Sequence, residues 1–191
     1  MAIHYAGAST DLCSAVGDDS AGIALHKAIC DTGMSTATLR TIPGKSSGRY
    51  IAMNDARKDL FTAVADMSIL EDQSEGFDQR WKPMFEQHKP KWLALDANWD
   101  TETLHKWIGA AKESGTKIAF EPVSKEKATR LYPYHFNHNM NPFNARIDFA
   151  TPNHDELLAM SSAIMPLVIP CLLYTSPSSR DRTRSRMPSS A

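Results

Sequence analysis

At 191 residues the chain is long enough for one domain with a sizeable core and too short for two ordinary ones. Hydrophobic residues at 42% against 23% charged exclude a disordered polymer, and a formal net charge of -1 gives no global reason to expect nucleic acid or an anionic membrane as partner. No apolar run reaches the roughly 18 to 20 residues of a membrane helix, and the opening MAIHYAGAST lacks the basic flank and apolar stretch of a secretory signal. Cys13, Cys30 and Cys171 have neither paired nor metal-type spacing, so the cytoplasm, a reducing compartment, is the expected location.

Leu12 to Val16 is a short apolar run that empties into Gly17-Asp18-Asp19, the pattern of a buried strand ending in a turn. A helix follows from Ser20 to Thr32, with Ser20 as its N-cap and Gly33 as its left-handed stop. Between Thr36 and Met67 the period changes. Three short strand-like runs, at 37–40, 48–53 and 60–64, are separated by Pro43-Gly44 and Asn54-Asp55. This stretch reads either as a hairpin-rich insertion that closes over a cleft or as a continuation of the main sheet.

The middle of the chain is the clearest βαβ unit. Trp92 to Leu95 is apolar and ends at Asp96-Ala97-Asn98. Leu104, Trp107, Ile108 and Ala111 then keep one helical face, with Asp100 or Thr101 to cap the start and Gly115 to end it. Lys117 to Phe120 is the next strand, ending in Glu121-Pro122-Val123-Ser124 before a short helix from Lys125 to Leu131. An irregular stretch from Tyr132 to Asn144 leads to a strand from Arg146 to Ala150, which opens into Thr151-Pro152-Asn153-His154-Asp155-Glu156-Leu157 and a helix. Such alternation predicts a parallel sheet with covering helices. Ligands in open parallel sheets sit beyond the carboxyl ends of the strands, so the polar ends 17–19, 96–98, 121–124 and 153–156 are expected to share one rim.

From Cys171 the text changes to CLLYTSPSSRDRTRSRMPSSA, rich in serine, arginine and proline without apolar period. Taken at face value residues 171–191 form a disordered basic tail. The string also resembles the translation of a transposase-type sequencing-library adapter, and as non-native sequence it is set aside from functional reasoning.

The ordered words SAVGDDSAG, Ala65-Asp66-Met67, DANW, EPVSKEKA and TPNHDEL resemble the PfkB carbohydrate-kinase family, and within it the pseudouridine kinases. Each word is weak alone; five in the right order, over about residues 6–160, are specific. The resemblance implies an α/β, ribokinase-like three-layer fold with a mostly parallel sheet and a small β lid at about 36–67, incomplete at both ends. Residues 1–170 would then be a partial kinase domain. It further implies ATP and Mg²⁺ as cofactors, and phosphoryl transfer to a hydroxyl of a small sugar or nucleoside. By similarity Asn153 matches the family residue that positions nucleotide phosphates. Glu156 matches the one that holds hydrated Mg²⁺, a role suited to a hard carboxylate oxygen. Asp96 and Asn98 are expected on the substrate side of the rim, although both residues also suit plain helix capping. Thr151 to His154 is similar to fungal-type versions, which can be fused to a pseudouridine-5'-phosphate glycosidase domain.

Two departures accompany these matches. Neither the family's early glycine-rich motif nor its late Gly-Ala-Gly-Asp signature occurs in the 191 residues. No catalytic residue is therefore assigned, and these residues alone are not expected to catalyse efficiently. The alternatives are another PfkB kinase, acting on ribose, a ketose or a nucleoside, and a non-catalytic nucleoside- or sugar-binding module. His135, His138 and His154 lack metal-ligand spacing, and Trp81, Trp92, Trp99 and Trp107 read as core or rim aromatics.

Overall fold

The SAVG run forms β1 (Ser14–Gly17), whose last three residues are buried. The computed structural model to which it belongs describes residues 2–71, 73–132 and 147–174, with side chains at all of these except 60 and 166–174. A four-residue helix α1 (Ala2–Tyr5) precedes β1, and α2 (Ser20–Asp31) follows it. The N-cap of α2 is Asp19, not Ser20. Its carboxylate accepts from the Gly22 N–H at 2.9 Å, the geometry that satisfies an orphan donor of the first turn. Gly33, at φ 80°, supplies the expected left-handed stop.

The 36–67 region divides in two. Its first strand, β2 (Leu39–Ile42), runs parallel to β1 with Ser14 opposite Leu39 and Gly17 opposite Ile42. Leu39 is drawn there because it packs with Val16, Ile29 and Met34 in a small core of its own. The other two strands, β3 (Arg49–Asn54) and β4 (Leu60–Asp66), pair antiparallel as a separate hairpin with a bulge at Met53/Asn54. Every residue of β3 is exposed.

Asp19 joins the hairpin to the body. Beyond capping α2, its carboxylate accepts from the Ser47 hydroxyl at 2.7 Å, the Ser47 N–H at 3.2 Å and the Arg49 guanidinium at 2.9 Å. These donors, the Ser47 hydroxyl and the Gly22 N–H foremost, hold its pKa well below the ordinary carboxylate value. A carboxyl depressed on folding stabilises above its unfolded pKa, about 4, and that contribution is lost as pH falls through the lower folded value. Asp19→Asn should therefore flatten the acid limb of a Tm-against-pH profile below about pH 4 while leaving its slope near neutrality unchanged.

Residues 74–88, which show no clear period in the sequence, fold as one helical run after a separate short turn. The short turn is a 3-10 turn at Ser68–Leu70; the run comprises α3 (Ser74–Gly76), a π-helical turn at Phe77–Trp81 and α4 (Lys82–His88). Pro83 sits at the junction of the π-helical turn and α4, where it interrupts the regular helical hydrogen-bond ladder. The run delivers Phe77, Trp81 and Phe85 to the main core.

That core lies against the second parallel ladder, β5 (Trp92–Asp96), β6 (Lys117–Glu121) and β7 (Phe149–Ala150), in the order β5-β6-β7. Between β5 and β6 runs α5 (Thr101–Ser114), capped by Asp100 at 2.9 Å from the Thr103 N–H and ended by left-handed Gly115. Its buried face, Leu104, Trp107, Ile108 and Ala111, is the one that the helical period marks. The short helix α6 (Lys125–Ala128) and a 3-10 turn at Thr129–Leu131 follow β6.

The strand expected at 146–150 is confined to its last two residues, and Arg146 lies outside the described residues, as do His135, His138 and the rest of 133–146. Helix α7 (His154–Tyr174) runs four residues past the boundary expected at 170, and 175–191 of the expected tail lie outside the described residues. Among the described residues no helix is long and apolar enough to cross a membrane.

Candidate functional site

Parallel pairing fixes where the strands of the second ladder end. Asp96 stands opposite Glu121, and Phe120 opposite Ala150, so Asp96, Glu121 and Thr151 emerge side by side at one carboxyl edge. The neighbouring tips are cross-linked. The Thr151 hydroxyl donates to Glu121 Oε2, joining β7 to β6. The Glu121 carbonyl accepts from the Ala97 N–H at 2.9 Å, joining β6 to the turn after β5. The expectation that the tips of β5, β6 and β7 share an edge is thus met in the geometry.

The β5 tip is the most heavily braced. Asp96 Oδ1 accepts from the Asn98 N–H at 2.9 Å, which folds the carboxylate over the turn. Lys127, one turn into the helix after β6, donates to Asn98 Oδ1 at 2.7 Å. Arg130 donates to three successive carbonyls, those of Ala97, Asn98 and Trp99, at 3.3, 3.1 and 2.7 Å, and pairs with Glu71 at 3.1 Å. One guanidinium therefore holds the whole turn that carries Asp96 and Asn98. Both of these residues are half-buried. With Asn98 Oδ1 accepting from Lys127, the group left to Asn98 for a ligand is its amide N–H donor pair.

The β7 tip leads into α7 through a reciprocal pair. Asn153 Oδ1 accepts from the Glu156 N–H, and Glu156 Oε2 accepts from the Asn153 N–H, both at 2.9 Å. This is the capping-box arrangement, with Asn in place of Ser or Thr. Glu156 is buried, 5% exposed, and its Oε1 carries no hydrogen bond among the described residues. Beside it Lys125 pairs with Asp155 at 3.0 Å, and the lysine's hydrogen bond and charge hold the Asp155 carboxyl below its ordinary range. Lys125 thus sets positive charge against Asp155 at the opening of α7, while Lys127 and Arg130 set theirs on the turn that follows Asp96.

The Gly17-Asp18-Asp19 turn, expected on the same rim, ends β1 in the other ladder. Its bonds run to the hairpin junction: Asp18 accepts from the Gly44 N–H at 3.0 Å, and Asp19 holds Ser47 and Arg49. Lys45, at that junction, is exposed. Among the tryptophans, Trp81, Trp99 and Trp107 are core residues, whereas Trp92 is half exposed with the Lys117 ammonium 5.4 Å from its ring centroid. Cys13 offers no nucleophile at neutral pH, since burial pushes its thiol up to about 12. From the sequence Thr151 is marked only as part of the TPNH run, and Lys125 and Arg130 have no assigned role. The signal for the two basic residues is the run KEKATR directly after a strand end, which deposits several cations over one tip.

Parallel strands with connecting helices and a polar carboxyl edge define an α/β domain of the kind that binds small molecules at strand ends. Residues 1–164 match the family described as pfkB family carbohydrate kinase, and the chain belongs to that family. It is 29% identical over 164 residues to a pseudouridine-metabolizing bifunctional protein of Schizosaccharomyces pombe, covering 86% of this chain and 20% of that protein. A carbohydrate kinase from Agrobacterium tumefaciens superposes with a TM-score of 0.59 at 20% identity, over 81% of this chain and 48% of the other. A ribokinase from Arabidopsis thaliana, solved with ribose and ATP, gives 0.53 at 14% identity, over 84% of this chain and 51% of the other. The fold is accordingly ribokinase-like α/β with mostly parallel sheets. The chain spans about a fifth of the curated relative and about half of the solved kinases.

Proposed function

We propose that the chain is the acceptor-gathering part of an ATP-dependent kinase that phosphorylates a sugar or nucleoside hydroxyl, with pseudouridine, giving pseudouridine 5'-phosphate, as the specific acceptor. The observation that carries this reading is the alignment of the β5, β6 and β7 tips into one edge, cross-linked through Thr151 and Glu121 and braced by Lys127 on Asn98. Phosphoryl transfer is achieved mainly by positioning and charge stabilisation, and a braced edge is what positioning requires.

In this reading Asp96 and the Asn98 amide orient the acceptor's hydroxyl or carbonyl groups, while Arg130 and Lys127 keep their turn from moving. In the same reading Asn153 would position the nucleotide's phosphates and Glu156 would hold its hydrated Mg²⁺. The residues fit that group, because a buried carboxylate with one oxygen unused suits a cation that keeps its own waters. When bound, ATP–Mg²⁺ supplies the transferable phosphoryl group and the charge that neutralises it. The β3–β4 hairpin, anchored through Asp19, is proposed as the lid that excludes water over the acceptor. The similarity to the bifunctional yeast protein, together with its length, supports a pseudouridine-5'-phosphate glycosidase domain as fused or partner domain.

The test is the protein expressed from the complete reading frame, assayed with ATP–Mg²⁺ against pseudouridine, uridine, ribose and adenosine. Pseudouridine should show the highest kcat/KM. Phosphorylation of ribose but not pseudouridine would defeat that substrate assignment. Asp96→Ala and Asn98→Ala should each lower kcat/KM by about 10- to 100-fold, the loss of a charge-assisted or buried hydrogen bond.

A further inference from the structure

The turn that closes β6 contains a residue out of keeping with its backbone. Val123 sits at φ 69°, and the Ser124 N–H donates to the Pro122 carbonyl at 2.8 Å across it, so the three residues form a left-handed γ-turn. This turn is rare and strained. Among the described residues two other non-glycine residues share a positive φ, Lys58 and Lys89; Lys89 ends α4 and Lys58 lies in the connection of the hairpin. Both are unbranched, whereas for a β-branched side chain the left-handed region is a genuine outlier.

The surroundings leave the turn no freedom to relax. Pro122 before it is fully buried, and Ser124 after it caps α6 through the Lys127 N–H at 3.3 Å. The Val123 N–H is itself used, donating to Glu121 Oε1 at 3.3 Å. A glycine would hold the same turn without steric cost. Yet the chain carries an isopropyl group there, 38% exposed, on an edge otherwise made of Asp96, Asn98, Glu121 and Thr151.

We propose that Val123 is a specificity-determining contact residue whose side chain supplies the apolar face against which the acceptor's ring packs, while the polar tips take its hydroxyls. Strained residues persist where the surrounding structure over-determines them and function retains them. The inference deepens the reading of the rim as an acceptor site and rests on it. The ligand class is a ring with a carbon-rich face, a nucleoside or furanose, as opposed to a linear polyol.

Val123→Gly and Val123→Ala, made in the protein from the complete reading frame, test this by thermal unfolding and steady-state kinetics. For Val123→Gly, Tm should stay level or rise while KM for the acceptor rises about tenfold, the usual worth of a lost apolar contact, and KM for ATP stays within about twofold. Val123→Ala, which keeps the backbone and removes the methyl groups, should give a smaller rise in the same KM. An unmoved acceptor KM in both variants overturns the proposal, as does a fall in Tm for the glycine variant. Wild-type protein that turns over none of the panel acceptors defeats the functional reading and this inference together; wild-type turnover with unmoved KM defeats this inference alone.

Discussion

Trp81→Ala is expected to remove about 3–5 kcal/mol of stability, enough to unfold a domain of ordinary margin. The side chain is completely buried, and its ring meets Trp99 edge-on at 5.1 Å between centroids and 72° between planes. Its indole N–H donates to the Thr38 carbonyl at 2.8 Å, just before β2. One residue therefore fills the core behind the β5–β7 ladder and ties it to the β1–β2 ladder, so truncation opens a cavity and orphans a buried carbonyl. Denaturant unfolding of both proteins measures the loss. Trp81→Phe separates the two contributions, because it keeps most of the volume and forfeits the hydrogen bond, and about 1–2 kcal/mol should suffice for it. An alanine variant within about 1 kcal/mol of wild type would contradict this account of how the ladders are held.

Gly22→Ala should destabilise by about 3 kcal/mol, the reverse of what a glycine inside a helix usually yields. A Cβ on Gly22 would stand 2.0 Å from the Gly17 carbonyl oxygen, and one on Gly17 would stand 2.0 Å from the Lys45 carbonyl oxygen. In both cases the obstacle is backbone, which has no rotamer to yield. These two glycines let the β1 turn, the start of α2 and the hairpin junction meet at contact distance. Gly109, in α5, is the internal control: an added Cβ there meets nothing within 4 Å. Gly109→Ala should accordingly stabilise by about 0.5–1 kcal/mol, the ordinary helix gain. Thermal melts of the two variants decide the matter, and a stabilised Gly22→Ala would show that the junction is looser than described.

The α5 helix and strands β5 and β6 are legible in the sequence because local signals agree there. Leu104, Trp107, Ile108 and Ala111 repeat with the helical period, Asp100 and Gly115 mark the ends, and apolar runs of strand length flank them. The helical run at 74–88 is illegible for a physical reason. Its apolar residues Phe77, Trp81 and Phe85 are spaced four apart, but a π-helical turn and Pro83 break the pattern into pieces too short to register. Leu39 to Ile42 looks like its neighbours to the eye, and only tertiary packing against Val16 and Ile29 draws it away from the hairpin. For the site, Asp96 and Asn98 stand out as polar residues at a strand end, and Asn153 and Glu156 through their resemblance to the family's Asn-x-x-Glu motif. What cannot be read from spacing is the bracing of Asn98 by Lys127 and of the 97–99 carbonyls by Arg130, contacts made across about thirty residues of chain.

The mutual embrace of Asn153 and Glu156 sets up a competition. Whatever recruits either side chain takes from the opening of α7 one of its two stitches, because the donors of a first turn find no partners within the helix itself. Occupancy of that corner and helical order at the amino end of α7 are therefore opposed. A ligand drawing Glu156 outward would grip more weakly by whatever the loosened turn forfeits, on the order of 1 kcal/mol, and would leave the start of the helix frayed behind it.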